Sequence, residues 1–340
     1  MRSRDTLSVL FLILVFAGIC PAWAAEPTNS DCLECHGEAS RSDDPKIPRL
    51  ESQTLPGSVH GNLTCIECHA GIASLPHSKP LQRTDCSSCH EKQADAYRLS
   101  VHGLRPFTGD IERDAEEAAK CVDCHGTHDT QPVALFRAPS HRLDIPDRCG
   151  ECHPDIATTY RKSVHGQAAG AGTVDAPICT DCHGEHTITS PSDPTSRVAP
   201  RNIPTTCAAC HEGESFASKY GLQTRRFSTY LSSYHGVVNR YGKMAVANCA
   251  SCHGVHDIRP SVDPQSAIHP DNLGNTCGAC HPGVEESLAG VRIHVEPTPE
   301  SSRGMYYVRT FYTYFIGILM ICFVAYITIE IYGTLRRRRS

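Results

Sequence analysis

Apolar positions are concentrated in two long runs that lie at opposite ends of the chain. The first, residues 7–19, follows Arg2 and Arg4 and precedes a small-x-small site that ends at Ala24. A short apolar run with these flanks is typical of a secretory signal peptide, which is removed from the mature protein. We therefore predict a signal peptide at 1–24 and an exported mature chain.

A lipoprotein is the alternative, because Cys20 lies inside the same segment. Ile19 stands where a small residue should precede a lipidated cysteine. We therefore favour cleavage after Ala24, which discards Cys20.

The second apolar run, residues 311–333, contains Glu330 as its single charge and is followed by four arginines. About 20 apolar residues match the thickness of a bilayer core, and arginines beyond such a helix are typical of the cytoplasmic side. We predict one pass through the inner membrane, with the main domain in the periplasm and the C-terminus in the cytoplasm. The predicted segments are an exported domain at 25–295, a linker at 296–307, a transmembrane helix at 308–333 and a basic cytoplasmic tail at 334–340.

The polar middle of the chain predicts short helices separated by long loops. The segments 91–100, 154–163 and 282–291 favour helix, whereas the joint PSDPTSRVAPRNIP at 191–204 is too rich in proline. The predicted fold class is mainly α with extensive loop and little sheet, plus one transmembrane helix.

Charge narrows the possible partners. The chain has a formal net charge of −5, and leaving out the +1 of the signal segment and the +3 of the C-terminal segment gives −9 for residues 25–309. An acidic exported domain is unsuited to nucleic acid, so we predict none among its partners. It would be steered toward proteins with basic docking faces, such as periplasmic cytochromes.

Eighteen of the twenty cysteines form nine C-x-x-C pairs, and a histidine follows each pair at once. This is the attachment signature of a c-type haem, in which two thiols bind the porphyrin and the histidine ligates the iron. We predict nine covalently bound haem c groups. The attachment cysteines are Cys32, Cys35, Cys65, Cys68, Cys86, Cys89, Cys121, Cys124, Cys149, Cys152, Cys179, Cys182, Cys207, Cys210, Cys249, Cys252, Cys277 and Cys280. The motif histidines are His36, His69, His90, His125, His153, His183, His211, His253 and His281.

Disulfide formation and zinc binding are the two alternatives to haem attachment for these cysteines. An exported protein with many cysteines ordinarily forms disulfides, and paired C-x-x-C knuckles also bind structural zinc. Neither use requires a histidine after every second cysteine, nine times in nine.

The chain resembles the bacterial periplasmic multihaem cytochromes c, and more narrowly the cytochrome c3-like class, over residues 31–294. This resemblance implies electron transfer through covalently held haems, often beside membrane partners that exchange electrons with quinones. It rests on the nine motifs, on S-V-H-G strings around His60, His102 and His165, on S-Y-H-G at His235, and on C-H-G-x-H strings that end at His128, His186 and His256.

These strings recur as a two-haem repeat. One repeat contains a C-x-x-C-H motif, a spacer, an S-x-H-G string, a second C-x-x-C-H motif and a histidine soon after it. We number the repeats 1 to 4 from their first residues, Cys32, Cys86, Cys149 and Cys207, and a half repeat begins at Cys277. Each repeat is expected to contact its neighbours. Nine porphyrins leave too little side-chain volume for an ordinary core, so we expect the haems themselves to form it.

A six-coordinate haem needs a second axial ligand, usually histidine or methionine. The exported region has two methionines, Met244 and Met305, but eleven histidines outside the motifs. His141 and His269 occupy an equivalent place at which repeat 3 has Ala199, so we predict that they are not ligands. Nine candidates are left for nine irons: His60, His77, His102, His128, His165, His186, His235, His256 and His294.

His128 lies three residues after His125. Ligands on opposite faces of one haem have Cα atoms about 12 to 13 Å apart, and three residues reach at most about 10.5 Å. His128 therefore cannot complete the haem of His125. If each repeat supplies its own ligands, its two haems exchange them. The predicted pairs are His36–His77, His69–His60, His90–His128, His125–His102, His153–His186, His183–His165, His211–His256, His253–His235 and His281–His294.

The predicted function is electron transfer between a membrane redox partner and periplasmic or outer-surface acceptors. The membrane run has no histidine, so a quinone site would need another subunit, such as a b-type cytochrome. One alternative is a reductase of a nitrogen or sulfur oxyanion, which needs an iron with an open position. Another is a quinol dehydrogenase similar to the small tetrahaem family, whose anchor is N-terminal and whose haem array is shorter.

Overall fold

Short helices joined by long loops make up the described chain, and no strand occurs in it. The computed structural model describes residues 26–39, 44, 46–51, 53–77, 81, 84–103, 118–134, 141–242, 246–284 and 293–339. The predicted signal peptide lies outside these residues, as do Met244 and most of the predicted helix at 282–291. The mainly helical fold class is confirmed for the described part of the chain.

The helices of the exported region are four to nine residues long, whereas the last helix has 37 residues. In chain order they are α1 Asn29–His36, α2 Cys65–Cys68, α3 Glu91–Arg98, α4 Cys121–His125, α5 Ile145–Gly150, α6 Pro154–Lys162, α7 Val164–Gly170, α8 Cys179–His183, α9 Ile203–His211, α10 Glu214–Lys219, α11 Arg226–Ser232, α12 Tyr234–Arg240, α13 Cys249–His253, α14 Leu273–Gly278 and α15 Arg303–Arg339. Three 3-10 turns lie at Cys86–Ser88, Arg142–Asp144 and Pro270–Asn272.

Two of the predicted helices are confirmed. Helix α3 occupies most of 91–100, and α6 occupies most of 154–163. The proline-rich joint at 191–204 forms turns up to Asn202. Helix α9 then begins at Ile203, inside the predicted joint, because Pro204 stands in its first turn, where the missing N–H costs no hydrogen bond.

The chain divides into two compact lobes, one formed by Met1–Ala96 with Ala119–His141 and the other by Tyr97–Ala118 with Arg142–Ser340. In the second lobe, α6 packs against α5 and α7, and α11 packs against α9 and α12. Its apolar cluster is small, and three of its seven members are alanine. The buried members are Tyr160, Ala169, Ala176 and Ile178, with Leu143, Ile145 and Ala168 packed against them.

Helix α15 is the one described helix long and apolar enough to cross a membrane, with a mean hydropathy of 2.2 over its most apolar window. Its side chains are exposed along most of its length. The helix begins at Arg303, five residues before the predicted span at 308–333, and continues into the arginine tail. Just before it, the Ser302 N–H donates to the Thr298 carbonyl at 2.9 Å.

Candidate metal-ligand pairs

The S-x-H-G string forms a tight junction between two helices. In repeat 3, the Ser163 hydroxyl donates to the Tyr160 carbonyl at 2.7 Å and accepts the N–H of Gly166 at 3.0 Å. A Cβ atom on Gly166 would lie 2.1 Å from the Tyr160 carbonyl oxygen, so glycine alone fits there. The serine therefore caps α7 and places His165 in its first turn.

Repeat 4 builds the same junction. The Ser233 hydroxyl donates to the Tyr230 carbonyl at 2.6 Å and accepts the N–H of Gly236 at 3.2 Å. A Cβ atom on Gly236 would again lie 2.1 Å from a carbonyl oxygen. The string therefore specifies a backbone geometry that presents its histidine, here His235 on α12.

The C-H-G-x-H string ends a helix and reverses the chain. Gly184 follows α8 with a φ of +86°, and Gly254 follows α13 with a φ of +82°. This left-handed region favours glycine at the end of a helix. The histidine three residues after the motif histidine therefore follows the helix and does not continue it.

Histidine rings lie opposite one another in pairs throughout the described chain. Eight pairs have ring centroids 6.0 to 6.3 Å apart. Every pair joins one motif histidine to one histidine from outside the motifs. The pairs are His36–His77, His60–His90, His69–His128, His102–His153, His165–His211, His183–His256, His235–His281 and His253–His294.

This separation is too wide for direct stacking and fits one metal ion between each pair of rings. A metal–nitrogen bond of about 2.0 Å on each side places the centroids of two opposed imidazoles about 6.2 Å apart. The eight described pairs therefore have the spacing of two axial ligands on one haem iron.

The pairing differs from the one predicted. His36 lies against His77, as expected, but His128 lies against His69 instead of His90. The prediction that each repeat supplies its own ligands is wrong for the other described pairs as well. His60 lies against His90, His102 against His153, His165 against His211, His183 against His256, His235 against His281 and His253 against His294.

One rule describes the seven pairs that join different repeats. The S-x-H-G histidine of a repeat pairs with the first motif histidine of the following repeat. The histidine after a second motif pairs with the second motif histidine of the preceding repeat, and His294 of the half repeat takes this place for His253. His125 and His186 are not among the eight described pairs, and their place in the ligand set stays a prediction.

Backbone hydrogen bonds between consecutive repeats explain why the histidine pairs join different repeats. Each joins an N–H in the S-x-H-G segment to the carbonyl two residues after the C-H-G-x-H histidine of the next repeat. The bonds are Val59 N–H to Thr130 at 2.8 Å, Val101 N–H to Ile188 at 2.7 Å and Val164 N–H to Ile258 at 2.9 Å. These bonds hold together the segments of neighbouring repeats that carry the candidate ligands. No sequence motif indicates which segments they join.

Burial lowers the pKa of several of the paired rings and so favours their neutral form. Burial, together with the neighbouring His211, lowers the pKa of His165 to about 4. Burial also lowers the pKa of His294 to about 4, with smaller effects from Arg226 and His253. A neutral imidazole keeps the ring lone pair that a metal ligand must supply.

The thiols of the two motifs in one repeat lie beside each other. In each of the four repeats, the first cysteine of one motif hydrogen-bonds to the first cysteine of the other. In repeat 4 this bond raises the pKa of the Cys207 thiol, and in repeat 1 burial, with the neighbouring thiol, raises the pKa of Cys65 to about 11. The pairs are Cys32–Cys65, Cys86–Cys121, Cys149–Cys179 and Cys207–Cys249.

His269 has a local structural role. It stands at the N-cap of a 3-10 turn, where its Nδ1 accepts the backbone N–H of Asp271 at 3.3 Å. The equivalent residue of repeat 3, Ala199, is buried. His269 is not among the described ring pairs, and its exclusion from the ligand set stays a prediction.

Two hydrogen bonds to ligand rings were missed by the sequence analysis. The Nδ1 atom of His36 lies 2.9 Å from the Pro48 carbonyl oxygen, and the Nδ1 atom of His294 lies 3.0 Å from the Thr229 hydroxyl. Both partners are distant in sequence from the motifs, so no local pattern marked them.

No family model, no curated protein and no solved structure matches this chain.

Proposed function

We propose that this protein is a membrane-anchored periplasmic c-type cytochrome with nine haems. It carries electrons between a quinone-linked membrane partner and periplasmic or outer-surface acceptors. The observation that carries the proposal is the set of eight histidine pairs, each with one motif histidine and the ring separation that one iron needs.

The residues fit covalently held haem. Each C-x-x-C-H motif supplies two thiols for thioether bonds and one imidazole, and the paired histidine supplies the opposite axial ligand. When bound, haem iron supplies one-electron redox chemistry. At the eight described pairs, the chain would offer two histidine rings to each iron. Burial lowers the pKa of several of these rings, among them His165 and His294. Two histidine ligands favour a lower reduction potential than histidine with methionine.

Two kinds of contact would hold successive haems close together. Within a repeat, the touching cysteines, for example Cys149 and Cys179, join the attachment points of two porphyrins. Between repeats, the ligand pairs lock one repeat to the next, as His165 does with His211. Alternation of these contacts along the chain supports electron hopping through a series of haems.

The C-terminal ligand lies close in sequence to the membrane helix. His294, which pairs with His253, precedes the start of α15 at Arg303 by nine residues. Glu296, between them, forms an ion pair with Arg225 at 3.5 Å, so the connection is fastened to the exported region. We infer that the haem on His253 exchanges electrons with the membrane partner, a quinone-reactive or b-type cytochrome subunit. The excess acidic charge suits soluble partners with basic docking faces.

Haem content is the direct test. Protein matured in a host that attaches c-type haem should retain nine covalent haems by mass after denaturation. Cys179→Ala with Cys182→Ala should retain eight. Cys322→Ala is the matched control, because this exposed cysteine lies on α15 outside every motif, and it should retain nine. Protein that carries zinc or disulfides in place of haem would contradict the proposal.

The anchor is tested separately. A stop codon at Phe311 removes most of α15 and should release a fully haem-loaded, soluble protein from the membrane fraction. Cys322→Ala in the full chain should stay with the membrane after a high-salt wash. Retention of the truncated protein after the same wash would show that another part of the chain attaches it.

A further inference from the structure

Thr229 on α11 touches the last ligand histidine of the chain. Its hydroxyl oxygen lies 3.0 Å from Nδ1 of His294. Thr229 is 9% exposed, so water does not compete freely for this contact. Polar groups this far buried are normally hydrogen-bonded, and here the partner is a predicted iron ligand.

The direction of this hydrogen bond follows from the other contacts of the hydroxyl. Thr229 Oγ1 lies 2.8 Å from the Arg225 carbonyl and 3.0 Å from the Arg226 carbonyl. Carbonyl oxygens only accept, so the single hydroxyl proton is directed to them. The oxygen is then left to accept a proton from Nδ1 of His294. A neutral ring with its proton on Nδ1 carries its free lone pair on Nε2, the atom that can bind iron.

Helix α11 is held in place at its start. The Glu212 carboxylate accepts the N–H of Phe227 at 3.0 Å and the hydroxyl of Ser228 at 2.5 Å. Arg225, just before the helix, pairs with Glu296, two residues after His294. Both sides of the contact between Thr229 and His294 are therefore fixed by neighbouring contacts.

We propose that Thr229 is a positioning residue for the iron shared by His253 and His294. Together with the Arg226 backbone, which also hydrogen-bonds to the His294 ring, it fixes the His294 tautomer that offers Nε2 to the metal. Its own hydrogen bond makes the ring a stronger electron donor, as acceptors at the second ring nitrogen of metal-bound histidines do. A stronger donor stabilises ferric iron and lowers the reduction potential of that haem. The inference rests on the proposed haem content.

Repeat 3 provides a matched control. Thr159 on α6 also precedes a buried tyrosine by one residue, and its hydroxyl donates to the Asp155 carbonyl at 2.9 Å. This bond to the carbonyl four residues earlier is the same as that of Thr229 to Arg225. Thr159→Val therefore removes the same hydroxyl and helix bond without touching His294.

The experiment compares Thr229→Val, Thr229→Ser and Thr159→Val in the full haem-loaded chain, by redox titration followed with electron paramagnetic resonance. In Thr229→Val, one low-spin component should move to higher potential with altered g values. Thr229→Ser keeps the acceptor and should match the wild type, as should Thr159→Val. If Thr229→Val contains nine haems and its redox titration is the same as that of the wild type, the inference is overturned.

Two measurements keep the inference separate from the proposed function and from misfolding. Mass spectrometry counts the haems in each variant. A wild-type protein without haem would show that the proposed function fails, whereas nine haems with an unchanged titration in Thr229→Val would show that the Thr229 inference alone fails. If Thr229→Val does not mature, a structure of the haem-loaded wild type decides. A Thr229 Oγ1 to His294 Nδ1 distance above 3.5 Å would overturn the inference, and a shorter one would support it.

Discussion

Repeats 3 and 4 contain the same S-x-H-G junction, but different contacts hold the second motif of each repeat to the segment before its first motif. In repeat 3, Arg142 holds the second motif through both carboxylate oxygens of Asp181, at 2.7 and 3.0 Å. In repeat 4, the amide of Asn248 donates to the Pro200 carbonyl at 3.1 Å. Both contacts tie the second motif to the segment before the first motif. The comparison teaches that the position of the motifs is constrained while the contact that holds them is free to vary.

Substitution at the shared junction should have the largest effect, and it should be equal in the two repeats. Gly166→Ala and Gly236→Ala each place a methyl group 2.1 Å from a carbonyl oxygen. Such overpacking typically costs about 1 to 3 kcal/mol, and we expect the upper end of this range because the obstacle is a backbone atom. We expect loss of haem-loaded protein, measured by yield and by the urea midpoint. Gly170→Ala, where no atom lies within 4 Å of the new methyl group, is the control. A tolerated Gly166→Ala would disprove the close approach.

The ion pair of repeat 3 should show the next largest effect. Arg142→Met removes the two-point bond to Asp181 and the bonds to the Val174 and Ala176 carbonyls, and we expect a loss of about 2 to 3 kcal/mol. Asn248→Ala in repeat 4 removes the bond to Pro200 and the N-cap of α13, and it should cost about 1 to 2 kcal/mol. Denaturant midpoints at low and high salt separate the two, because salt should weaken only the charged contact. Equal salt dependence of both variants would contradict the distinction.

The same ion pair should depend on pH. Burial alone would raise the pKa of Asp181, but its bonds to Arg142 and to the Ile178 N–H are larger in sum and lower it below its usual value. A folded-state pKa below the unfolded one gives stability that is present above about pH 4 and is lost as pH falls through the folded-state pKa. The difference between wild type and Arg142→Met should therefore shrink on acidification. If the difference in stability between wild type and Arg142→Met stayed constant from pH 7 to pH 3, the predicted pH dependence of the ion pair would be wrong.

The buried tyrosines should show a smaller and equal effect. The Tyr160 hydroxyl donates to the Pro177 carbonyl at 2.9 Å, and the Tyr230 hydroxyl donates to the Ala247 carbonyl at 3.1 Å. Tyr160→Phe and Tyr230→Phe each remove one hydrogen bond and should cost about 1 kcal/mol. Thermal midpoints check this, and a cost in one repeat alone would break the symmetry that we describe.

The smallest effect is expected at the position where repeat 4 has His269 and repeat 3 has Ala199. His269→Ala converts the position to the alanine that repeat 3 carries as Ala199. We expect a change in stability within about 0.5 kcal/mol and an unchanged low-spin spectrum. A new high-spin signal would show that His269 is an iron ligand.

The sequence was sufficient for the helical class, the helices α3 and α6, and the local form of the motifs, because these depend on residues close together. It was also sufficient to exclude the pairing of His125 with His128 by distance alone. It was not sufficient for the partners of the ligands. These depend on bonds such as Val164 to Ile258, which join residues 94 positions apart in consecutive repeats. The residues of a repeat are the same whether its histidines pair within the repeat or with a neighbouring repeat. The sequence alone therefore does not distinguish the two pairings.

The crossing of ligands between repeats is tested most directly by a structure of the haem-loaded His256→Ala protein. The account predicts an open axial position on the iron of His183, in the preceding repeat, since the two rings lie 6.0 Å apart. The iron of His211, in the same repeat as His256, should keep both ligands, one of them His165. An open position on the iron of His211, with His183 fully ligated, would contradict the account.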